Sequence, residues 1–241
     1  MARRIALEDV GSTNTVALER IEEGERPPFW VTATRQIAGR GRMGRAWDSP
    51  PGNLYATHAF VDEGPPERRA LLSLVAATAV RAAIVEASGA RPVTLKWPND
   101  VLLDGAKVAG ILLEAHAAEG RRLVLIGCGI NCATHPRQVD YPATNLSAAG
   151  YPVEPDCLFA ALDRRMATAL AAWNLGERSR PIIDEWLAHA HGLGERTTVR
   201  TPTGRLAGTL RGLDETGRLL LDTDDGRVAI AAGDLEPPRA E

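Results

Sequence analysis

Cysteine is scarce in this chain, and long apolar runs are missing. The three cysteines, Cys128, Cys132 and Cys157, are an odd number with no paired metal-ligand spacing. That pattern offers neither a disulfide framework nor a structural zinc module, and it fits a reducing compartment. No stretch reads as long and apolar enough to span a bilayer. The amino terminus, Met-Ala-Arg-Arg-Ile-Ala-Leu-Glu, reaches an acid before an apolar run develops, so no signal peptide is expected. A basic excess is also absent. The formal net charge of −3 argues against a general nucleic-acid binder, whose footprint is usually basic. There is no Walker phosphate loop, no Ser-His-Asp arrangement, no internal repeat and no low-complexity segment. A cytoplasmic protein is the expectation.

What is present suits a globular enzyme. The 241 residues, 44% of them hydrophobic, suffice for one large domain with a small appendage and for a core without disulfide or metal. Short β-rich runs at 4–10, 30–36, 55–61, 93–97, 107–117 and 122–130 read as strands. Helical spacing marks 67–87 and 156–173; a third helix opens at Ser179 as N-cap, and a shorter one follows Ser12-Thr13-Asn14. Pro65-Pro66 and Gly89 punctuate the first of these where a start and a stop belong. Beyond Gly192 the texture changes to four brief strands, 197–200, 205–210, 218–222 and 227–231, separated by Gly turns. The strands do not alternate regularly with helices, so a mixed α+β sheet is expected over 1–192, followed by a small SH3-like β-barrel over 193–241.

Four segments carry chemistry. In Gly39-Arg40-Gly41-Arg42-Met43-Gly44-Arg45-Ala46-Trp47, the glycines let the backbone approach a ligand. Its arginines supply bidentate donors for phosphate or carboxylate, and Trp47 offers a flat face to a purine. Taken alone, the segment fits a nucleotide phosphate, a nucleic-acid strand or a solvated surface loop. In Lys96-Trp97-Pro98-Asn99-Asp100-Val101, the Pro-Asn-Asp run reads as a turn, and Asp104-Gly105 reverses the chain into the next strand. Alternation along that strand puts Lys107 on one face with Ala109, either as a sheltered ammonium or as an ordinary exposed lysine. Gly127 and Gly129 share a strand face and leave a slot for a ligand or for close packing. Ser12-Thr13-Asn14 is a polar triplet or simply a helix cap.

In order along the chain, Gly11-Ser12-Thr13-Asn14, Gln36 with Gly39–Trp47, Lys96–Val101, Lys107–Leu112 and Gly127-Cys128-Gly129-Ile130-Asn131 resemble the biotin protein ligase family. The resemblance covers nearly the whole chain. It implies a class II aminoacyl-tRNA synthetase/biotin ligase-like fold and an ATP-dependent, AMP-forming reaction. Biotin would be activated as biotinyl-5′-AMP and then passed to a lysine of a biotin carboxyl carrier protein. On that pattern Lys107, Arg42 and Arg40 are catalytic. Ser12, Thr13, Asn14, Gln36, Gly39, Gly41, Gly110, Gly127 and Gly129 join them around biotin. Arg40, Arg42, Arg45, Trp47, Lys107 and Asn131 serve ATP, and Asp100 is the candidate ligand for Mg2+. Met43 departs from the pattern, standing where the family usually has another arginine. With so few residues ahead of Ser12, the chain is expected to lack the DNA-binding domain of family members that also repress transcription. No membrane partner is expected, and a homodimer is an open alternative. A lipoate-type protein ligase on the same fold is the first rival reading, and a nucleic-acid-binding module is the second.

Overall fold

The computed structural model describes residues 2–118 and 121–236. Seven strands form the first sheet: β1 (Arg3–Val10), β2 (Phe29–Gln36), β3 (Leu54–Val61), β4 (Val93–Lys96), β5 (Asp100–Leu103), β6 (Ala106–Ala118) and β7 (Arg121–Ile130). Their order is β1-β2-β3-β7-β6-β5-β4, with β1 parallel to β2 and every other pair antiparallel. The mixed sheet expected from the sequence is therefore present. β5 was not expected as a strand; it completes a tight hairpin with β4, joined at Trp97–Asn99.

Period-2 alternation splits the sheet into two environments. Trp30, Ala56, Val124, Ile126 and Cys128 point into the main core. Above them lie α2 (Leu71–Ser88), α3 (Pro155–Trp173) and α4 (Ser179–Leu187). Their in-between neighbours Phe29, Val31, Ala59 and Leu125 face α1 (Thr13–Glu22). This second face also carries Thr57, Gly127 and Gly129, in strands that run past the start of α1. The opening there becomes the site.

Two local expectations change. Contrary to the sequence reading, one segment does have the length and apolarity to cross a bilayer: α2, of mean hydropathy 1.6. Its position explains its composition, since Leu72, Val75, Ala79, Val80 and Ala83 are buried between the sheet and α3. Ser179 is the first helical residue of α4, not its N-cap, which is Arg178.

The C-terminal strands form a five-stranded antiparallel sheet of order β11-β10-β9-β8-β12. These are β8 (Arg196–Thr201), β9 (Gly204–Leu213), β10 (Leu219–Thr223), β11 (Gly226–Ile230) and the two-residue β12 (Asp234–Leu235). The last was too short to read from periodicity. The expected spans 1–192 and 193–241 include Met1, 119–120 and 237–241, which lie outside the described residues.

His58 on β3 is buried in the main core, its ring centroid 4.6 Å from Trp30 and 5.6 Å from Phe60. Desolvation lowers its pKa from 6.5 to about 4, against the opposing pull of Asp163. The unfolded chain binds this proton below about pH 6.5 and the folded chain only near pH 4, so stability falls as pH drops through that window. At roughly 1.4 kcal/mol per pKa unit, the full effect is on the order of 3 kcal/mol. Urea unfolding at pH 7 and pH 5 should show His58→Phe losing less stability than the parent. Equal losses would remove His58 as the cause.

Candidate active site

The cleft lies on the α1 face of the first sheet and is walled on its far side by the second. Its volume is about 1260 Å³, and a side cavity of about 380 Å³ opens beside Trp47 and Asn131. Its position follows from strand register. Between β7 and β6 the pair Gly129↔Gly110 puts two glycines opposite one another, and Gly127 stands opposite Leu112. A bulge at β5–β6 breaks alternation just before them, since Val101 pairs with Ala109 but Leu102 pairs with Lys107. Val108 and Ala109 are thus both in the core, and Lys107 emerges beside Gly110. The expectation that Lys107 shares a face with Ala109 fails for that reason.

The room left by the glycines is taken by this chain's own side chains. A methyl on Gly129 would meet Trp47 Nε1 at 2.5 Å, and one on Gly110 would meet the same ring at 2.9 Å. One on Gly127 would meet Asn14 Oδ1 at 2.5 Å. Trp47 therefore lies flat on the glycine floor, with its Nε1 buried and without a partner among the described residues. Asn14 is held by Glu114, which accepts from Nδ2 at 2.7 Å, and by the Thr57 hydroxyl, 2.6 Å from Oδ1. Gln36 Oε1 accepts from the Thr13 amide at 2.9 Å, and its Nε2 donates to Ser49 Oγ. Ser12 stands at the N-cap position of α1 without a side-chain cap bond and lines the cleft.

The Gly/Arg segment is a small hairpin, not an open loop. Gly41 N donates to Arg45 O at 2.7 Å and Trp47 N to Gly39 O at 2.9 Å. A methyl on Gly39 would strike Trp47 O and Ser49 Oγ, which explains a glycine there. The tip, Arg42–Gly44, is one 3-10 turn, with Met43 in the left-handed region (φ 57°) and 78% exposed. The arginine run is thus interrupted at a solvent-facing apex. Arg42 and Arg45 reach the second sheet: Arg42 Nη1 lies 2.7 Å from Asp234 Oδ1, and Arg45 Nη2 lies 2.9 Å from Oδ2. Arg42 also donates to Asn99 Oδ1 at 3.2 Å, while Arg40 turns to Glu114 at 3.3 Å.

Lys107 Nζ stands 2.7 Å from Asp100 Oδ1, an ion pair outside hydrogen-bond geometry. The same ammonium is 5.3 Å from the Trp47 ring and 5.4 Å from Tyr141. Tyr141 comes within reach because residues 142–144 bond to Lys107: Lys107 N donates to Pro142 O and Thr144 N to Lys107 O. Asn131 Nδ2 donates to Thr144 O, and Asn53 Oδ1 accepts the three amides of Cys132, Ala133 and Thr134, which fixes the chain leaving β7. Cys128 borders the cleft, but burial pushes its thiol up to about 12, so it is no nucleophile. Among the described residues no three His, Cys, Asp or Glu side chains cluster as a metal cage.

The structure thus gathers the sequence-predicted residues from the start of α1, the end of β2, the hairpin, β5, β6 and β7 around one cleft and its side cavity. It adds Thr57, Lys96, Glu114, Tyr141 and Asp234. Thr57 and Asp234 had no local signal, since their partners are distant in sequence. Glu114 closes the Lys107–Glu114 run, and the alternation Gly110, Leu112, Glu114 could have placed it on the cleft face.

Residues 7–131 match the biotin/lipoate A/B protein ligase family, and 192–236 match the biotin protein ligase C-terminal domain. The chain belongs to the biotin/lipoate A/B protein ligase family. Its second match places it in the biotin protein ligase branch, and it is a ligase. It is 38% identical over 235 residues to the biotin–[acetyl-CoA-carboxylase] ligase of Paracoccus denitrificans, covering 93% of this chain and 96% of that one. The Mycobacterium tuberculosis enzyme of the same description is 32% identical, with 93% and 85% covered. The biotin protein ligase of Aquifex aeolicus in complex with biotin and ATP superposes with a TM-score of 0.84, at 27% identity and full coverage of both chains.

Asp234 is the one carboxylate that Arg42 and Arg45 share. In Asp234→Asn the hairpin should loosen from the second sheet. Trypsin should then cut after Arg42 or Arg45 several-fold faster. Unchanged cleavage would mean that the ion pairs do not hold the hairpin.

Proposed function

We propose that the cleft activates biotin with ATP and then transfers it to a lysine of a biotin carboxyl carrier protein. The observation that carries this reading is the convergence of Arg40, Arg42, Arg45 and Lys107 on one glycine-floored cleft. In the first step a biotin carboxylate oxygen attacks the α-phosphorus of ATP, the bond from that phosphorus to the α,β-bridging oxygen breaks, and pyrophosphate leaves. In the second, the carrier's neutral lysine amine attacks the acyl carbon, AMP departs, an amide forms and one proton is released. Both reactants in the first step are anions, so fixed cations must offset their repulsion as they meet.

Lys107 is assigned to the carboxylate and α-phosphate, because it lies beside Gly110 and the Trp47 ring. Arg42 and Arg45 are assigned to the phosphates, where Asp234 occupies them in the free protein. Ser12, Thr13, Asn14 and Gln36 offer neutral donors and acceptors to a ureido ring, and Arg40 closes that end through Glu114. The side cavity between Trp47, Asn131 and Tyr141 suits adenine. For biotin to reach the floor over Gly110 and Gly129, Trp47 must lift; its unpartnered Nε1 then gains an acceptor. Asp100 is a lone carboxylate with a buried oxygen outside hydrogen-bond geometry. That fits an Mg2+ ion carried in on phosphates, for which one carboxylate is enough, and not a resident protein cage. Such an ion would neutralise charge on the leaving phosphates. The second match begins at residue 192, which supports a division into 1–192 and 193–241.

The purified protein with ATP, Mg2+, biotin and a carrier domain should add one biotin mass to the carrier, and no added mass would refute the transfer. Lys107→Ala should slow pyrophosphate release roughly 100-fold or more, the scale set by loss of one preorganised charge-stabilising group. Release near the parent rate, from a variant with the parent's unfolding midpoint, would remove Lys107 from the chemistry.

A further inference from the structure

Glu114 on β6 meets two partners, Arg40 and Asn14. The link to Arg40 is loose, 3.3 Å to an arginine that is 47% exposed, whereas the buried Asn14 donates to the same carboxylate at 2.7 Å. The tighter demand on this charge therefore comes from a neutral amide. From Asn14 a continuous line of buried side chains runs under the start of α1. Asn14 Oδ1 is 2.6 Å from the Thr57 hydroxyl, and Thr57 is 2.8 Å from the Thr13 hydroxyl. Thr13 in turn reaches Gln36 Oε1, through its amide at 2.9 Å and its hydroxyl at 3.1 Å. Thr13, Asn14 and Gln36 all line the cleft. Each hydroxyl has one proton to give. An ionised carboxylate only accepts, so Asn14 must turn Nδ2 toward Glu114 and Oδ1 toward Thr57. Oδ1 also only accepts, so the Thr57 proton goes there. Thr57 Oγ is then the acceptor for the Thr13 hydroxyl, and every proton in the line points toward Glu114.

We propose that Glu114 is a positioning residue for biotin: its charge sets the direction of this line and so keeps oxygen acceptors free for the ureido N–H groups. This rests on the reading of the cleft as the biotin site. A ureido ring carries two N–H donors and one carbonyl, so it needs acceptors as well as donors. With its proton committed to Thr57, Thr13 keeps lone pairs on Oγ, and Gln36 Oε1, already accepting from the Thr13 amide, keeps one. In the reverse direction Asn14 Nδ2 would donate to Thr57, and Thr57 to Thr13. The Thr13 proton would then fill Gln36 Oε1 or face the ligand, and either way an acceptor for the ureido ring is lost. In a buried site a hydrogen bond left unmade is costly. A neutral residue at 114 would permit both directions, because a glutamine can accept from Nδ2 or donate to Oδ1. The charge of Glu114, not its size, removes the second. Gly127 leaves the space in which the Asn14 amide lies, since a methyl there would meet Oδ1 at 2.5 Å.

The test pairs Glu114→Gln with Thr57→Val, which breaks the line at its middle. Biotin affinity is measured by calorimetry without ATP, and KM for ATP by pyrophosphate release at saturating biotin. Glu114→Gln should weaken biotin binding about tenfold, the worth of one hydrogen bond. Its KM for ATP should stay within a factor of about two. In the Thr57→Val background the same glutamine should cost less than about twofold, because the direction it controls no longer reaches Thr13. Glu114→Asp, which still only accepts, should keep most of the affinity. Parent-like biotin binding by Glu114→Gln, or an equal loss in both backgrounds, would overturn the proposal. So would a change in KM for ATP alone, which would trace to a released Arg40. Should the variants not fold, the parent decides, with a biotin analogue carrying oxygens in place of both ureido N–H groups. Its binding should be weaker by about a hundredfold, two hydrogen bonds' worth, and binding equal to that of biotin would overturn the assignment. If the parent binds no biotin, the reading of the cleft itself fails. If it binds biotin and Glu114→Gln is indifferent, only the role of Glu114 falls.

Discussion

A site that joins a carboxylate to a phosphate must hold more positive charge than its own acids cancel, yet it must survive folded without its ligands. This protein meets both demands by lending single carboxylates to its cations. Asp100 lies on Lys107, Asp234 on Arg42 and Arg45, and Glu114 on Arg40. Three acids thus face four cations, with Asp234 shared between two, so the field stays positive while the worst repulsions are relieved. Because Asp234 belongs to the second sheet, the same arrangement ties the hairpin of the first unit to the second. Electrostatics and domain packing are one interaction here.

The first sheet makes that arrangement possible by ordinary alternation broken once. Even-numbered positions of β7 fill the core, while Gly127 and Gly129 face the cleft. The bulge opposite Val101–Leu102 turns Lys107 out of register with Ala109 and into line with Gly110. Without it, either Lys107 would enter the core or Ala109 would leave it. The glycines make a floor that Trp47 and Asn14 cover in the free protein. The floor is thus packed by the chain's own side chains, which keeps the hydrophobic cost of the unliganded cleft small.

Much of this was legible in the sequence where the signal is local. Six of the seven strands of the first sheet, all but β5, and the two long helices follow from periodicity. The Gly39–Trp47 run, Lys107 and the paired glycines stand out by composition. Features set by distant partners were not legible. Asp234 acquires its meaning only when β12 brings it to Arg42, far back in the chain. Lys96 reads as one lysine in a turn motif until Asp100 is seen turning away from it. β5 hid behind turn chemistry because its four residues follow Pro98-Asn99, and β12 has two residues, too few for any period. The side-chain occupants of the glycine slots were invisible for the same reason: a slot is a property of one strand, its occupant of another.

The central claim is that this positive cleft activates biotin with ATP. Exchange of labelled pyrophosphate into ATP reports that first step without any carrier protein. The account predicts exchange that depends on biotin and that lipoate does not support. Exchange driven by lipoate, or none with biotin from the folded protein, would contradict it.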